Sequence, residues 1–140
     1  NENISDDIMT EVIKGNIAAY YNEHISRNTT EKVIFDIEYA LYFENINMCD
    51  LQTNIGHTLN PLKCAIYGLR KLLKGESFEK IISDITYQGG DADTNCAVAG
   101  AVMGAYLGKS KLPQKYIKEL IHKDILQKYV DQYTSVLGNI

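Results

Sequence analysis

Two carboxylates and a hydroxyl follow a pair of glycines in the stretch Gly89-Gly90-Asp91-Ala92-Asp93-Thr94. Consecutive glycines allow a sharp turn, because glycine adopts positive φ at little steric cost. Asp91, Asp93 and Thr94 then offer three hard oxygen ligands, which Mg²⁺ or Ca²⁺ prefers. Two carboxylates so close together repel each other unless a cation lies between them. The turn therefore predicts half of a metal site, although the same residues could merely cap a helix, with Asp93 or Thr94 as the cap and Asp91 in solvent.

Two other interpretations of the turn are excluded by residue type. An EF-hand loop that begins at Asp91 needs glycine at its sixth position and glutamate at its twelfth, where this chain has Cys96 and Val102. A phosphate-binding glycine loop would not carry two acids and no lysine, unless a metal bridged to the phosphate.

The segment after the turn consists almost entirely of small residues. At helical spacing they form a stripe of Ala97, Gly100, Ala101, Gly104, Ala105 and Gly108. A glycine inside a helix costs ~1 kcal/mol relative to alanine, so we expect neighbouring helices to approach this stripe closely. A helix held in that way fixes the turn at its N-terminus. This rigid support favours a metal site over a helix cap alone.

Helical periodicity continues through the rest of the chain. The predicted helices lie at residues 5–24, at 30–43, between the cap Asn60 and Gly75, after the cap Ser77, from about Thr94 to Leu107, and from Pro113 onward. Residues 125–133 either continue this helix or start a last one. No segment alternates convincingly at period two. Residues 44–59 are the longest irregular connection. We therefore expect residues 1–140 to form a single all-α domain of about six or seven helices.

Composition limits the functions open to the protein. The 140 residues carry a net charge of −4, which does not favour a broad nucleic-acid surface. The cysteines are odd in number and widely spaced, which predicts reduced thiols; they are Cys49, Cys64 and Cys96. The longest apolar run is too short to span a bilayer, and the N-terminus is polar and acidic. These features predict a soluble cytoplasmic protein with no nucleic-acid or membrane partner.

The acidic turn and the small-residue helix together resemble the C-terminal motif of the ADP-ribosylglycohydrolase family. The similarity lies in Gly89-Gly90-Asp91-Ala92-Asp93-Thr94, followed by the pattern Ala-x-Ala-Gly-Ala-x-x-Gly-Ala-Tyr-x-Gly up to Gly108. The upstream Ile55-Gly56-His57-Thr58-Leu59 and the helix around Ile81 and Ile82 are similar more loosely. The resemblance covers about residues 51–122.

The resemblance implies an all-α fold around a centre with two magnesium ions. It implies hydrolysis of the glycosidic bond that joins ADP-ribose to an amino-acid side chain or to another ADP-ribose unit, with ADP-ribose or an ADP-ribosylated protein as the partner. Asp91, Asp93 and Thr94 match the metal ligands of the motif, and Gly90 matches a position where the backbone approaches the substrate. No catalytic residue can be assigned by position.

The chain departs from the family in its N-terminal part. Family enzymes draw further metal ligands and an acidic catalytic residue from an N-terminal half that contains a Thr/Ser-Asp-Asp-Thr motif. Ser5-Asp6-Asp7-Ile8 echoes that motif, but Ile8 replaces the final threonine and the spacing to Asp91 is too short. We interpret Ser5 as a helix cap and the two acids as favourable to the helix dipole.

Two functional hypotheses follow from this departure. The chain is the C-terminal part of an ADP-ribosylglycohydrolase, whose other half comes from the same protein or from a second chain. Alternatively, it is a catalytically inactive module that binds ADP-ribose or a protein partner. A third option is a helical interaction module whose acidic turn binds nothing.

Overall fold

The computed structural model describes residues 44–138 continuously, together with residues 11, 12, 14–16, 19, 35, 37 and 39–42. Every regular element in these residues is a helix, which confirms the all-α fold class. Helix α1 spans Leu59–Leu73, α2 Phe78–Tyr87, α3 Ala92–Leu107, α4 Gln114–Glu119 and α5 Lys123–Leu137. Short 3-10 helices span Ile46–Cys49 and Lys109–Lys111. Among the residues that the structure describes, none of the helices combines the length and the hydropathy that a membrane span needs.

The predicted helices at residues 5–24 and 30–43 lie largely outside the described residues. The described residues between 11 and 19 and between 35 and 42 are helical. The contacts divide the chain into two compact units, Asn1–Tyr106 and Leu107–Ile140. The expectation of one domain over residues 1–140 stays a prediction.

The connection between α1 and α2 follows from its sequence. Gly75 adopts φ +91°, its N–H donates to the Leu72 carbonyl at 3.0 Å, and the Glu76 N–H donates to the Lys71 carbonyl at 3.0 Å. This is a Schellman motif, which closes α1 as predicted. The Ser77 side chain accepts a hydrogen bond from the Lys80 N–H at 3.2 Å and so caps α2 as predicted.

The predicted N-cap of α1 was wrong. The helix begins at Leu59, with Thr58 at the cap position and no side-chain cap bond. Asn60 is instead buried inside the first turn, where its amide donates to the Asn54 carbonyl at 2.9 Å. Pro61 is tolerated there because the first four N–H groups of a helix have no intrahelical partner.

The core of the first unit is built from α1, α2, α3 and the segment that precedes α1. Ile81, Ile85 and Met103 are fully buried. Residues 44–59, predicted as an irregular connection, contribute the 3-10 helix Ile46–Cys49 and the buried side chains of Ile46, Cys49 and Leu51. Residues 46–51 of this segment therefore contribute to the core, whereas residues 52–58 are exposed.

The close contact of α3 is not where the small-residue stripe predicted it. The buried side chains of α3 are Asn95, Ala99 and Met103, whereas Ala97, Ala101, Ala105 and Gly108 are exposed. A Cβ at Gly100 would meet Ile82 and Phe78 only at an ordinary 3.8 Å. The tight approach is at Gly68 of α1, where a Cβ would lie 3.1 Å from the Met103 sulfur. The glycine that permits close helix packing thus lies on the partner helix.

The second unit consists of the 3-10 helix Lys109–Lys111, α4 and α5. His122 adopts φ +57° between α4 and α5, so the two helices are separate. Helix α5 is amphipathic in sequence. Its apolar side chains are nevertheless exposed: Ile125, Leu126, Tyr129, Val130, Tyr133, Val136 and Leu137.

Candidate metal site

The candidate site is the turn between α2 and α3. Helix α2 ends where the Gln88 N–H donates to the Ile85 carbonyl and the Gly89 N–H donates to the Thr86 carbonyl, both at 3.1 Å. Gly89 and Gly90 then adopt φ +68° and +67°, as predicted. Because two successive residues have positive φ, the chain turns sharply at Gly89 and Gly90. Asp91 therefore lies directly before the first residue of α3.

The segment before α1 supports this turn from one side. The Gln52 side chain donates to the Gln88 carbonyl at 2.7 Å. A Cβ at Gly90 would lie 2.3 Å from the Leu51 carbonyl oxygen, a distance that no side chain tolerates. Contact with Leu51 therefore accounts for glycine at position 90 without any ligand. The role of Gly90 in substrate binding stays a prediction.

Sequence reasoning missed Leu51 and Gln52 as parts of the site. Leu51 acts through its backbone carbonyl, which no residue type can signal. Asp50 and Thr53 on either side of them gave a usable signal, because Asp next to a polar run favours a tight turn. In the structure Asp50 adopts φ +47° and its carboxylate accepts from the Thr53 hydroxyl at 2.7 Å.

Asp91 and Asp93 lie together at the N-terminus of α3. The helix begins at Ala92, two residues earlier than predicted, so Asp91 rather than Asp93 or Thr94 occupies the cap position. The Asp91 carbonyl accepts from the Asn95 N–H at 3.0 Å, which is the first bond of the helix. Asp93 and Thr94 follow in the exposed first turn.

The electrostatics of the turn centre on Asp93, whose side chain is exposed. The pKa of Asp93 lies below its usual value, mainly because the Thr94 backbone N–H donates a hydrogen bond to its carboxylate. A hydrogen bond with the Asp91 carboxyl and one from the backbone N–H of Asp93 itself lower the pKa further. Two carboxylates close together repel each other, and a cation between them would relieve that repulsion. The positive N-terminus of α3 stabilises the ionised form of the Asp93 carboxylate.

The residues that the structure describes do not form a complete metal site. Among them, no group of three or more His, Cys, Asp or Glu side chains is placed to hold a metal ion. Ser5, Asp6 and Asp7, whose motif departs from the family pattern, lie outside the described residues. The structure thus brings Asp91 and Asp93 together with Thr94 and describes no further acidic partner for them.

Asn95 is a second residue that sequence reasoning missed. It lies one turn after Asp91 on α3 and is completely buried, and neither its amide nitrogen nor its amide oxygen has a hydrogen-bond partner. A buried amide without a partner costs several kcal/mol, roughly 2 or more. An asparagine within a run of small apolar residues is the sequence signal that could have singled it out.

The thiols do not take part in this chemistry. Burial raises the pKa of both Cys49 and Cys64 to about 12. Both therefore remain protonated at neutral pH, which excludes them as nucleophiles. Cys96 contacts the Thr86 hydroxyl at 3.2 Å on the side of α3 that faces α2.

A family comparison covers nearly the whole chain. The family model described as ADP-ribosylglycohydrolase matches residues 6–139. This match extends well beyond residues 51–122, to which the sequence resemblance was confined. Comparison with curated proteins and with solved structures gives no significant match.

Proposed function

Because this chain belongs to the ADP-ribosylglycohydrolase family, we propose that it takes part in magnesium-dependent hydrolysis of ADP-ribosylated protein or ADP-ribose derivatives and supplies half of the metal site. Family membership supports hydrolysis of the glycosidic bond of ADP-ribose. The observation that carries the metal-dependent part of the proposal is the Asp91–Asp93 pair. The turn before this pair is held by the Leu51 carbonyl, which contacts Gly90, and by the Gln52 side chain, which donates to the Gln88 carbonyl.

The donor set of the turn fits magnesium. Two carboxylates and a hydroxyl are hard oxygen ligands, and a divalent cation would relieve the repulsion between Asp91 and Asp93. Asp91, Asp93 and Thr94 would hold the ion. When bound, magnesium polarises water and orients the hydroxyl groups of a ribose.

The protein contributes rigidity and charge to the reaction. Hydrolysis breaks the bond from the anomeric carbon to the leaving side chain, adds the hydroxyl of water to that carbon and returns a proton to the leaving group. Positive charge develops on the ribose as this bond breaks, and because Asp91 and Asp93 would hold the ion, the carboxylate that stabilises this charge would come from the other half of the site. The fixed turn keeps the Asp91 and Asp93 carboxylates in place without reorganisation. The group that protonates the leaving atom would come from the other half of the site.

The alternative is a catalytically inactive module that binds ADP-ribose or a protein. The observation that favours it is the lack of a third acidic side chain beside Asp91 and Asp93 among the described residues. Both hypotheses predict binding at the turn. Only the first predicts turnover once the missing ligands are supplied.

Magnesium titration by calorimetry tests the metal site. We expect wild-type protein to release heat, and Asp91→Ala and Asp93→Ala to abolish it while the far-ultraviolet circular dichroism stays unchanged. Asp124→Ala is the matched control, because Asp124 is also an exposed acid in the first turn of a helix. Equal heats from all four proteins would contradict the metal site, and loss of helicity in Asp93→Ala would show that the turn is structural.

An activity assay separates the enzyme from the inactive module. ADP-ribosylated protein is incubated with magnesium and this chain, alone and together with an N-terminal half that carries the further ligands. We expect release of ADP-ribose only when both halves are present, and no release with Asp93→Ala. If the combined halves bind ADP-ribose and release none from the protein, the inactive module is the correct interpretation.

A further inference from the structure

Helix α5 turns its apolar face to solvent and a polar side chain towards its own unit. At about 3.6 residues per turn its apolar residues fall within an arc of about 140°, and all are exposed: Ile125, Leu126, Tyr129, Val130, Tyr133, Val136 and Leu137. Outside this arc, Gln127 is half-buried and accepts a hydrogen bond from the Lys109 ammonium group, whereas every other residue of Lys123–Leu137 is exposed. A helix packed on its own core has the reverse orientation.

We propose that the apolar face of α5 binds the same face of a second copy of this chain, as an antiparallel helix pair about a two-fold axis at Asp131. The interaction lies within the second unit and does not depend on the function proposed for the acidic turn. An exposed apolar patch of more than a few hundred Å² marks an interaction site. The sequence of α5 identifies its occupant, because the apolar pattern is symmetric.

The apolar pattern of α5 is nearly the same in both directions from Asp131. Apolar residues lie six, five and two positions away on both sides, as the pairs Ile125 and Leu137, Leu126 and Val136, and Tyr129 and Tyr133. In an antiparallel pair with its axis at Asp131, each of these residues lies opposite its counterpart on the second copy. A two-fold interface requires such a self-complementary surface, whereas a partner of unrelated sequence does not. Val130 alone breaks the symmetry, since its counterpart is Gln132.

The spacing along this face fits a helix as the partner. The central residues follow one another at intervals of three, four and three positions: Leu126, Tyr129, Tyr133 and Val136. Alternating intervals of three and four keep one seam of a helix directed at a neighbouring helix. The second copy supplies a helix with the same spacing.

The charges of α5 do not oppose this pairing. Asp124, Lys128 and Asp131 lie on the side of the helix away from the apolar arc, so the interface buries none of them. The two Asp131 carboxylates consequently do not face each other, although the axis passes at their position. Lys123 lies at the edge of the arc, where its ammonium group stays hydrated.

The exposed area is sufficient for a weak dimer. Seven apolar side chains that are about half exposed offer roughly 500 Å² per copy, so pairing buries roughly 1,000 Å² in total. This is the lower limit for a specific interface, and we expect a dimer that dissociates on dilution. Tyr129 and Tyr133 lie nearest the axis, and large aromatic side chains at the centre of an interface contribute most of the binding energy.

Sedimentation velocity over a roughly hundredfold range of protein concentration tests the dimer. We expect the wild-type protein to shift from the monomer to twice its mass as concentration rises. Tyr129→Glu and Tyr133→Glu should each raise the dissociation constant at least about tenfold, because two-fold symmetry places two charges in the interface. Ser135→Glu is the matched control, since it adds the same charge on the opposite side of the helix. Circular dichroism of the dilute proteins should show equal helicity, because all three positions are exposed.

Disulfide cross-linking tests the antiparallel orientation. A mixture of Leu126→Cys and Val136→Cys should form a covalent dimer on mild oxidation. Either variant alone should not, because its two cysteines lie about 15 Å apart along the axis of the pair, too far for a disulfide. The wild-type protein under the same oxidation controls for the three native thiols.

A wild-type protein that stays monomeric at every concentration would overturn the proposal. Equal dissociation constants for Tyr129→Glu and Ser135→Glu would do the same, and so would cross-linking of one cysteine variant alone as efficiently as the mixture. A monomer that instead binds the other half of the enzyme, and loses this binding in Tyr129→Glu, would assign the face to that half.

Discussion

Helices α2 and α5 have similar apolar periodicity but different surroundings. In α2 the residues at this spacing are buried, with Ile81 and Ile85 at 0% exposure. In α5 the corresponding side chains of Tyr129, Val130 and Tyr133 are all more than half exposed. Periodicity therefore specifies that a helix forms and which face is apolar, but the neighbouring elements determine whether that face is buried.

This difference explains why the candidate site belongs to the first unit. The turn at Gly90 contacts Leu51, which is buried, and the helix that follows is anchored by Met103 against Gly68 of α1. A carboxylate pair on such a base has a fixed geometry. The same pair at the start of α5, where Asp124 lies in an exposed first turn, would have no comparable support.

The largest contrast is expected from shortening one apolar side chain in each unit. Met103→Ala removes a fully buried side chain from the first unit and should lower the free energy of unfolding by about 3 kcal/mol, since truncation leaves a cavity. Val130→Ala in α5 removes a side chain that is 54% exposed and should change it by less than about 0.5 kcal/mol. Urea denaturation followed by circular dichroism measures both.

Val130→Ala also tests whether the apolar face of α5 is covered in solution. A loss as large as that of Met103→Ala, which grows with protein concentration, would show that another molecule buries this face. The contrast between the two units would then hold for the isolated chain only.

Two glycines with similar positive φ give the next contrast. Gly90 and Gly108 adopt φ +67° and +73°, but a Cβ would meet the Leu51 carbonyl at 2.3 Å in the first case and nothing within 4 Å in the second. Gly108 combines this φ with ψ 157°, a region that strongly favours glycine, so Gly108→Ala should lose only this conformational cost of about 2 kcal/mol. Gly90→Ala should lose about 3 kcal/mol, because the Leu51 segment must also move. Equal losses in urea denaturation would show that the supporting contact contributes nothing.

The sequence was informative about local structure. Ser77 and Gly75 could be placed correctly because a cap and a Schellman motif depend on residues within one turn. The positive φ of Gly89 and Gly90 is likewise local. Asn60 was misassigned because its amide bonds to Asn54, a contact that competes with capping and depends on how the preceding segment folds.

The supporting contacts of the site were not predictable in this way. The closeness of Asp91 and Asp93 follows from their spacing, but the Leu51 carbonyl reaches Gly90 across 38 intervening residues and acts through the backbone. The prediction that neighbouring helices approach the small residues of α3 was wrong, because most of that stripe is exposed. The sequence could not show that the close contact lies between Gly68 of α1 and Met103 of α3, since Gly68 is a single residue inside an otherwise ordinary amphipathic helix.

The smallest expected effect concerns the surface of the first unit. Glu44 lies on its exterior, and the pKa of its carboxyl is lowered first by the hydrogen bond from Lys74, at 3.2 Å, and then by the charge of that lysine. A lowered pKa means that the pair stabilises the fold above the usual carboxyl pKa, and that this contribution is lost as the pH falls through the lowered value. Exposure and salt weaken such pairs, so packing rather than this contact holds residues 44–51 on the core.

Lys74→Ala should raise the titration midpoint of Glu44, as followed by nuclear magnetic resonance of its side-chain carboxyl. The rise should be partial, because Arg70 remains 3.6 Å from the same carboxylate. It should also shrink as salt is added, since the attraction to Lys74 is screened at an exposed site. An unchanged midpoint at low salt would show that the Glu44–Lys74 contact does not persist in solution. Because residues 44–51 are held by the buried Ile46, Cys49 and Leu51, Gly90→Ala should remain far more damaging than Lys74→Ala in either outcome.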